Sequence, residues 1–198
     1  MSSTPNQPVA TRRQQILDTA AELFADRGFH GVSVHDIGTA CGVSGPALYR
    51  HFPSKDAVLS DMLIAISEEL LAEGRARADA TSDPRGALDS LIGWHVDFAL
   101  THPALIVVQE REWTNLDAIS RSRVRALQLA YIDTWVRVVR ALRPGLDQRT
   151  ARAAVQAAFG LLNSTPHSGR ISESAMRGLL ASMASSSLLG ESVPPPRK

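Results

Sequence analysis

One cysteine, Cys41, stands in the 198 residues. A single thiol excludes an internal disulfide and a cysteine-ligated metal cluster. Aromatic residues make up only 5% of the chain and its net charge is +1, so bulk charge does not announce a nucleic-acid partner. Over residues 1–60, five cations (Arg12, Arg13, Arg27, Arg50, Lys55) meet five acids (Asp18, Glu22, Asp26, Asp36, Asp56). Any contact with a polyanion must therefore rest on where individual groups point. Long hydrophobic runs are missing too. The mainly apolar stretch Phe98 to Val108 falls far short of the ~20 residues of a membrane span. The opening MSSTPNQPVATRR has no apolar signal core, so a cytoplasmic location with no membrane partner is expected. No HExxH or CxxC spacing, glycine-rich phosphate loop or G-x-S-x-G elbow occurs, and His95, His102, His167 and Cys41 fit none of these patterns. Neither enzymatic activity, metal nor cofactor is expected. A period-2 strand pattern and an internal repeat are also absent.

What is present is helical. At 44% hydrophobic and 21% charged, the chain can bury a core. Thr11 and Gln14 fit a capping box that opens a helix with Ile16, Leu17, Ala20, Leu23 and Phe24 on one face and Gly28 at its end. Ser33 opens a short second helix that turns Ile37 and Ala40 inward and stops at Gly42. Ser44 opens a third, with Pro46 in its first turn and Leu48 and Phe52 inward. After Pro53, Ser54 caps a long fourth helix through Val58, Leu59, Met62, Leu63, Ile66 and Leu70, and Gly74 leads into a polar linker over residues 77–82. Further helices are predicted from Pro84 to about His102, from Pro103 to about Trp113, and from Ile119 or Ser120 to Leu142. The last two cover 147–164 and 172–189, with Ile171 and Met176 placed for a hydrophobic staple. The fold class is all-α, with nine helices and two regions.

Ile37-Gly38-Thr39-Ala40-Cys41-Gly42-Val43-Ser44 has what two short helices around a tight turn require. Ala40 is small at the expected crossing, Gly42 makes the turn, and Val43 and Leu48 plug the core. With Leu48 and Phe52 buried, Gly45, Pro46, Ala47, Tyr49 and Arg50 face outward, free for a major groove. Arg12 and Arg13 are read either as capping-region charges or as a minor-groove arm.

The order Ser-Val-x-x-Ile, Ala-x-Gly-Val-Ser, Leu-Tyr-x-His-Phe-x-x-Lys, from Ser33 to Lys55, resembles the DNA-binding domain of the TetR family of bacterial repressors, a likeness covering about Arg12 to Leu63. The resemblance implies a helix-turn-helix domain over 11–55, joined by a helix over 55–76 to a ligand-binding and dimerisation domain over 77–190. Residues 1–10 and 191–198 are expected to be disordered tails. It implies that Ser33 caps the second helix and touches a phosphate, and that Ser44, Tyr49, His51 and Lys55 hold the DNA backbone. Gly45, Pro46, Ala47 and Arg50 lie near base edges, with Arg50 suited to a bidentate guanine contact. Gly45 departs from members that carry a long polar residue there. The helix N-termini at Ser33, Ser44 and Ser54 offer backbone N–H groups to phosphates despite the neutral charge count.

Ala151, Ala154, Val155, Ala158 and Leu162 form a small-residue stripe that a second copy would bury, and the resemblance implies a homodimer through 147–164 and 172–189 on a palindromic double-stranded DNA operator. Trp94, His95, Phe98, Trp113, Tyr131 and Trp135, with Asn163, are either core or the lining of a pocket for a small-molecule effector. From Arg121 to Arg143 six arginines face one acid, Asp133. They are either a solvated surface or an anion site suited to an acyl-CoA, a thioester class that many TetR-like proteins sense. The function implied is a ligand-responsive regulator, a repressor by family default, in which effector binding moves the fourth helix and spreads the two DNA-binding heads. The alternative is a helical interaction or small-molecule-binding module without DNA binding.

Overall fold

The computed structural model describes residues 11–168 and 171–190; the expected tails lie outside the described residues. The elements are α1 (Arg12–Arg27), α2 (Val34–Cys41), α3 (Gly45–His51), α4 (Lys55–Asp79), α5 (Pro84–Thr101), α6 (Pro103–Arg111), a 3-10 turn (Trp113–Asn115), α7 (Ala118–Leu142), α8 (Gln148–Leu162), α9 (Thr165–Ser168) and α10 (Glu173–Leu189). No strand occurs among the described residues.

Short polar side chains begin these helices by satisfying backbone N–H groups that have no intrahelical acceptor. The Thr11 hydroxyl accepts from Gln14 N and that of Ser54 from Ala57 N. Asp83, Asp117 and Asp147 each accept from two N–H groups of the turn that follows. The reciprocal half of the box expected at Thr11 is absent, because Gln14 Nε2 donates instead to Asp18 Oδ1 at 2.8 Å. Gly28 has φ +73° with an extended ψ of 160°, and Gly42 is truly left-handed at φ +66°, ψ 36°.

Two apolar cores share one long helix. The first gathers Ile16, Leu17, Phe24, Ile37, Leu48 and Phe52 around Val58, Leu59, Met62 and Leu63 of α4. The second begins at Ile66 on the same helix and takes in Leu70, Leu71 and Ala78, with Leu88, Leu91, Trp135, Val155, Leu162 and Leu188. The expected division at 77–82 is not where the packing divides. Ala104 and Val108 of α6, with Leu116 and Val124, belong to the first core, while Ile106 of α6 belongs to the second. Alternate residues of a helix face different sides, so α6 is anchored in both.

α4 runs through Gly74 instead of ending there. Gly74 is buried, and a Cβ placed on it would lie 2.8 Å from Tyr131 Cδ2, so the missing side chain makes room for the Tyr131 ring. No single helix among the described residues is long and apolar enough to cross a membrane, and α5 and α6 meet at a bend of 86°. Pro103, at the first position of α6, begins the new direction without losing an intrahelical hydrogen bond.

Candidate nucleic-acid interface and ligand cavity

α3 is held from one side only. Leu48 and Phe52 are buried in the first core, whereas Ser44, Pro46, Tyr49, Arg50 and His51 are exposed and Gly45 and Ala47 half-buried. Tyr49 is 55% exposed, a large aromatic left in water on a helix whose other side is fully seated. The residue that lets α2 approach α3 is Gly38, not Ala40. Gly38 is buried with its Cβ position 3.1 Å from Val43 O, while Ala40 faces solvent. The two small residues stand two positions apart, on opposite faces of an eight-residue helix, and a helix this short leaves the phase between them poorly defined by spacing.

Arg12 Nη2 donates to the Cys41 and Gly42 carbonyls at 2.8 and 3.3 Å, clasping the turn between α2 and α3. Arg13 pairs with Asp61 at 2.5 Å and lies 4.8 Å from the centre of the Phe52 ring. Of the two readings for these arginines, the geometry matches capping and bracing. Arg27 pairs with Asp26 at 3.5 Å. Lys55, expected on the DNA backbone, is half-buried. Its ammonium donates to the Phe29 and Val32 carbonyls at 2.6 and 2.8 Å and sits 4.2 Å from the centre of the Phe29 ring. The loop between α1 and α2 turns the Phe29 and Val32 carbonyls toward the first turn of α4, which supplies a donor to both. Among the described residues up to 60, Arg50 is the cation with no protein partner.

Ser33 caps α2 as expected, but its hydroxyl is engaged. It donates to Asp36 Oδ2 at 2.6 Å and accepts from Asp36 N at 3.1 Å. The hydroxyl and backbone N–H of Ser33 hold the Asp36 carboxyl below its ordinary range. A phosphate at this hydroxyl would meet a carboxylate. The Ser44 side chain, by contrast, makes no capping hydrogen bond and is exposed.

The second core borders a partly open cavity of about 200 Å³. Leu70, Phe98, Ile106, Tyr131, Ile132 and Phe159 give it apolar walls, and its polar groups are His95, Gln109, Gln128 and Asn163. His95, Phe98, Tyr131 and Asn163 were expected there, but the three tryptophans were placed differently. Trp135 is fully buried behind the wall, edge-on to Phe159 at 5.0 Å. Trp94 lies against the Arg77 guanidinium, 4.3 Å from its ring centre. Trp113 packs on the first core. Phe159 was missed although it stands four residues before Asn163, a spacing that places both on one helix face.

His95 is the centre of a polar chain. Its Nε2 faces Asn163 Oδ1 at 3.0 Å and its Nδ1 faces Tyr131 Oη at 3.2 Å, while its ring stacks on Phe159 at 4.7 Å. Burial brings the His95 pKa down to about 4, against the opposing pull of the Asn163 hydrogen bond, so the ring is neutral. A neutral imidazole facing a carboxamide oxygen carries its proton on Nε2 and accepts on Nδ1. Tyr131 therefore donates, and burial holds its hydroxyl protonated well above the ordinary range.

The helix-seven arginines do not supply an anion site at this cavity. Arg121 donates to the Thr114 and Leu116 carbonyls, and Arg123 and Arg137 pair with Glu68 and Asp79. Arg140 reaches Leu146 O and Gln148, and Arg143 reaches Leu188 O. None of the six lines the cavity.

A three-helix N-terminal unit with one helix outward-facing is carried on a larger helical body with a partly open cavity, the layout of a helix-turn-helix unit joined to a helical body. The family model described as bacterial regulatory proteins, tetR family, matches residues 16–62. The HTH-type transcriptional repressor KstR2 of Rhodococcus jostii is 28% identical over 157 residues, 78% of this chain and 76% of that one. Alignments with its mycobacterial counterparts span about half of their length. A TetR-family transcriptional regulator from Bordetella parapertussis superposes with a TM-score of 0.78 at 25% identity, covering 89% of this chain and 95% of that one. AibR, solved in complex with isovaleryl coenzyme A and operator DNA, shares the fold at TM-score 0.71 and 20% identity, over 87% and 97% of the two chains. Residues 16–62 thus match the tetR family model, and the chain is similar to TetR-family regulators over most of its length.

Proposed function

We propose that this chain is a ligand-responsive transcriptional repressor that binds a palindromic operator as a homodimer and releases it when a small molecule enters the cavity. One observation carries the reading: the Pro46, Tyr49 and Arg50 side of α3 is free, while Leu48 and Phe52 fix the helix from behind. A helix of this size fits the major groove, and Arg50, unengaged within the protein, can meet a guanine edge. Ser44 and His51 flank it with exposed hydrogen-bonding groups for phosphates. Lys55 and Ser33 contribute indirectly in this account, by fixing the α1–α2 loop and the start of α2.

The stripe Ala151, Val155, Ala158 and Leu162, expected to meet a second copy, is instead buried in this chain's own second core; the surface that a second copy fits is the outer face of α8 and α10. Leu179 and Met183, 47% and 46% exposed, line an apolar groove with Leu161, Ile171 and Met176. Two copies meeting about a two-fold axis would remove both grooves from water and set two α3 helices facing adjacent turns of a duplex.

The route from cavity to DNA runs through α6 as well as α4. Ile106 and Gln109 reach the cavity, and one turn later Arg111 Nη1 donates to Ala25 O at 3.0 Å while Glu112 holds Phe29 N at 3.2 Å. A ligand that shifts α6 thus pulls on the last turn of α1 and on the start of the α1–α2 loop. A mobility shift with the DNA upstream of the gene, with and without candidate effectors, tests the reading. Retention of a palindromic fragment supports it, and failure to retain any duplex in low salt overturns it.

A further inference from the structure

The cavity has polar groups but no charged one: among its lining residues are two glutamines, an asparagine and a histidine, and no Lys, Arg, Asp or Glu. The side chains of Gln109 and Gln128 make no hydrogen bond to another described residue. The Asn163 amide is polarised in one direction. Because its Oδ1 receives the His95 Nε2 proton at 3.0 Å, its Nδ2 group is left to donate. The Tyr131 hydroxyl behind His95 is compatible with that direction, since it can supply the proton that Nδ1 accepts. The chain Tyr131 to His95 to Asn163 therefore delivers a donor, and not an acceptor, to the cavity.

Resting on the regulator reading above, we infer that the effector is a compact, uncharged, mainly apolar molecule bearing a carbonyl or similar acceptor oxygen, which receives a hydrogen bond from Asn163 Nδ2 and is flanked by the Gln109 and Gln128 amides. A carboxylate entering this space would lose its water without meeting a cation, and the neutral imidazole offers no spare proton because both ring nitrogens are engaged. The size is limited as well. A protein cavity of about 150 Å³ holds benzene, so this one, at about 200 Å³, takes a ring with a short substituent. The polar headgroup of a coenzyme thioester lies outside that volume. The amide donors give selectivity in the usual way, since a ligand lacking the acceptor leaves them desolvated and unpaired.

Three probes of equal non-hydrogen atom count separate the possibilities: acetophenone, benzoate and cumene. Calorimetric titration of the full chain without DNA is expected to give binding of acetophenone at least tenfold tighter than of either of the others. Asn163→Asp, which replaces the donor with an acceptor, abolishes the preference for acetophenone over cumene. Phe98→Trp, which fills the cavity from an apolar wall, weakens all three. Benzoate binding as tightly as acetophenone, equal binding of acetophenone and cumene, or no binding of any probe would each overturn the inference. So would isovaleryl-CoA binding tenfold tighter than acetophenone, because that gain would have to come from phosphate recognition. DNA retention, measured separately without ligand, reports on the regulator reading alone, so the two can fail independently.

Discussion

The Glu112 carboxylate accepts the backbone N–H of Phe29 at 3.2 Å, across 83 residues of sequence, while Lys55 takes the carbonyl of the same residue at 2.6 Å. One residue between α1 and α2 is thus held from both the ligand-side helix α6 and the start of α4. Glu112 is itself buried and has a second partner, Asn115 Nδ2, at 2.7 Å. Removing it leaves a buried N–H unpaired, which costs about 1–3 kcal/mol. Glu112→Ala is expected to lower stability in urea by that amount and to weaken the response of DNA binding to effector more than DNA binding itself. An unchanged response in a folded variant would exclude α6 as the transmitting element.

Lys55 separates a bracing role from a phosphate contact. Lys55→Met should lower stability and weaken binding to every duplex equally, while leaving the dependence of affinity on salt unchanged. A lysine that neutralises a phosphate would reduce the salt slope by about one on its removal. Titration at several salt concentrations distinguishes the two.

His95 makes stability depend on pH. Its folded pKa lies near 4, below the ordinary histidine value of about 6.5, so the unfolded chain binds the proton more readily. Between those values the unfolded state gains stability as pH falls. The stability conferred by the neutral histidine is therefore complete above pH ~6.5 and declines toward pH ~4, by up to a few kcal/mol. Denaturant midpoints measured across this window should fall with acid in the native chain and flatten in His95→Phe. A parallel fall in both would contradict the assignment.

Gly74→Ala inverts the usual ranking. Alanine gains about 1 kcal/mol over glycine inside a helix, but here the added methyl meets the Tyr131 ring. Overpacking of that kind costs about 1–3 kcal/mol. A net lowering of the melting temperature is expected, and a rise would show that Tyr131 moves freely.

The helix-turn-helix was legible because its signals are local: caps at Thr11, Ser33 and Ser54, a left-handed Gly42, and Leu48 and Phe52 in phase all act within a few residues. The cavity was legible only in part. Helical periodicity says that Trp94, Trp113 and Trp135 are turned inward somewhere, but which core receives each depends on crossing geometry that the spacing does not encode. The contacts of Lys55 were not legible for the same reason, since its acceptors lie 26 and 23 residues away in a loop whose path is set by tertiary packing. Gly74 read as a helix end because a glycine in a helix normally weakens it. Its reason for being there is Tyr131, on another helix.

The central claim is that the outward side of α3 reads duplex DNA, and Arg50→Ala tests it most directly. Fluorescence anisotropy with the palindrome and with single-base variants should give a loss of about 1–3 kcal/mol for the variant and relaxed discrimination at one base pair per half-site. Equal affinity of native and Arg50→Ala protein for the palindrome, or no binding of the native protein to any duplex at low salt, would contradict it.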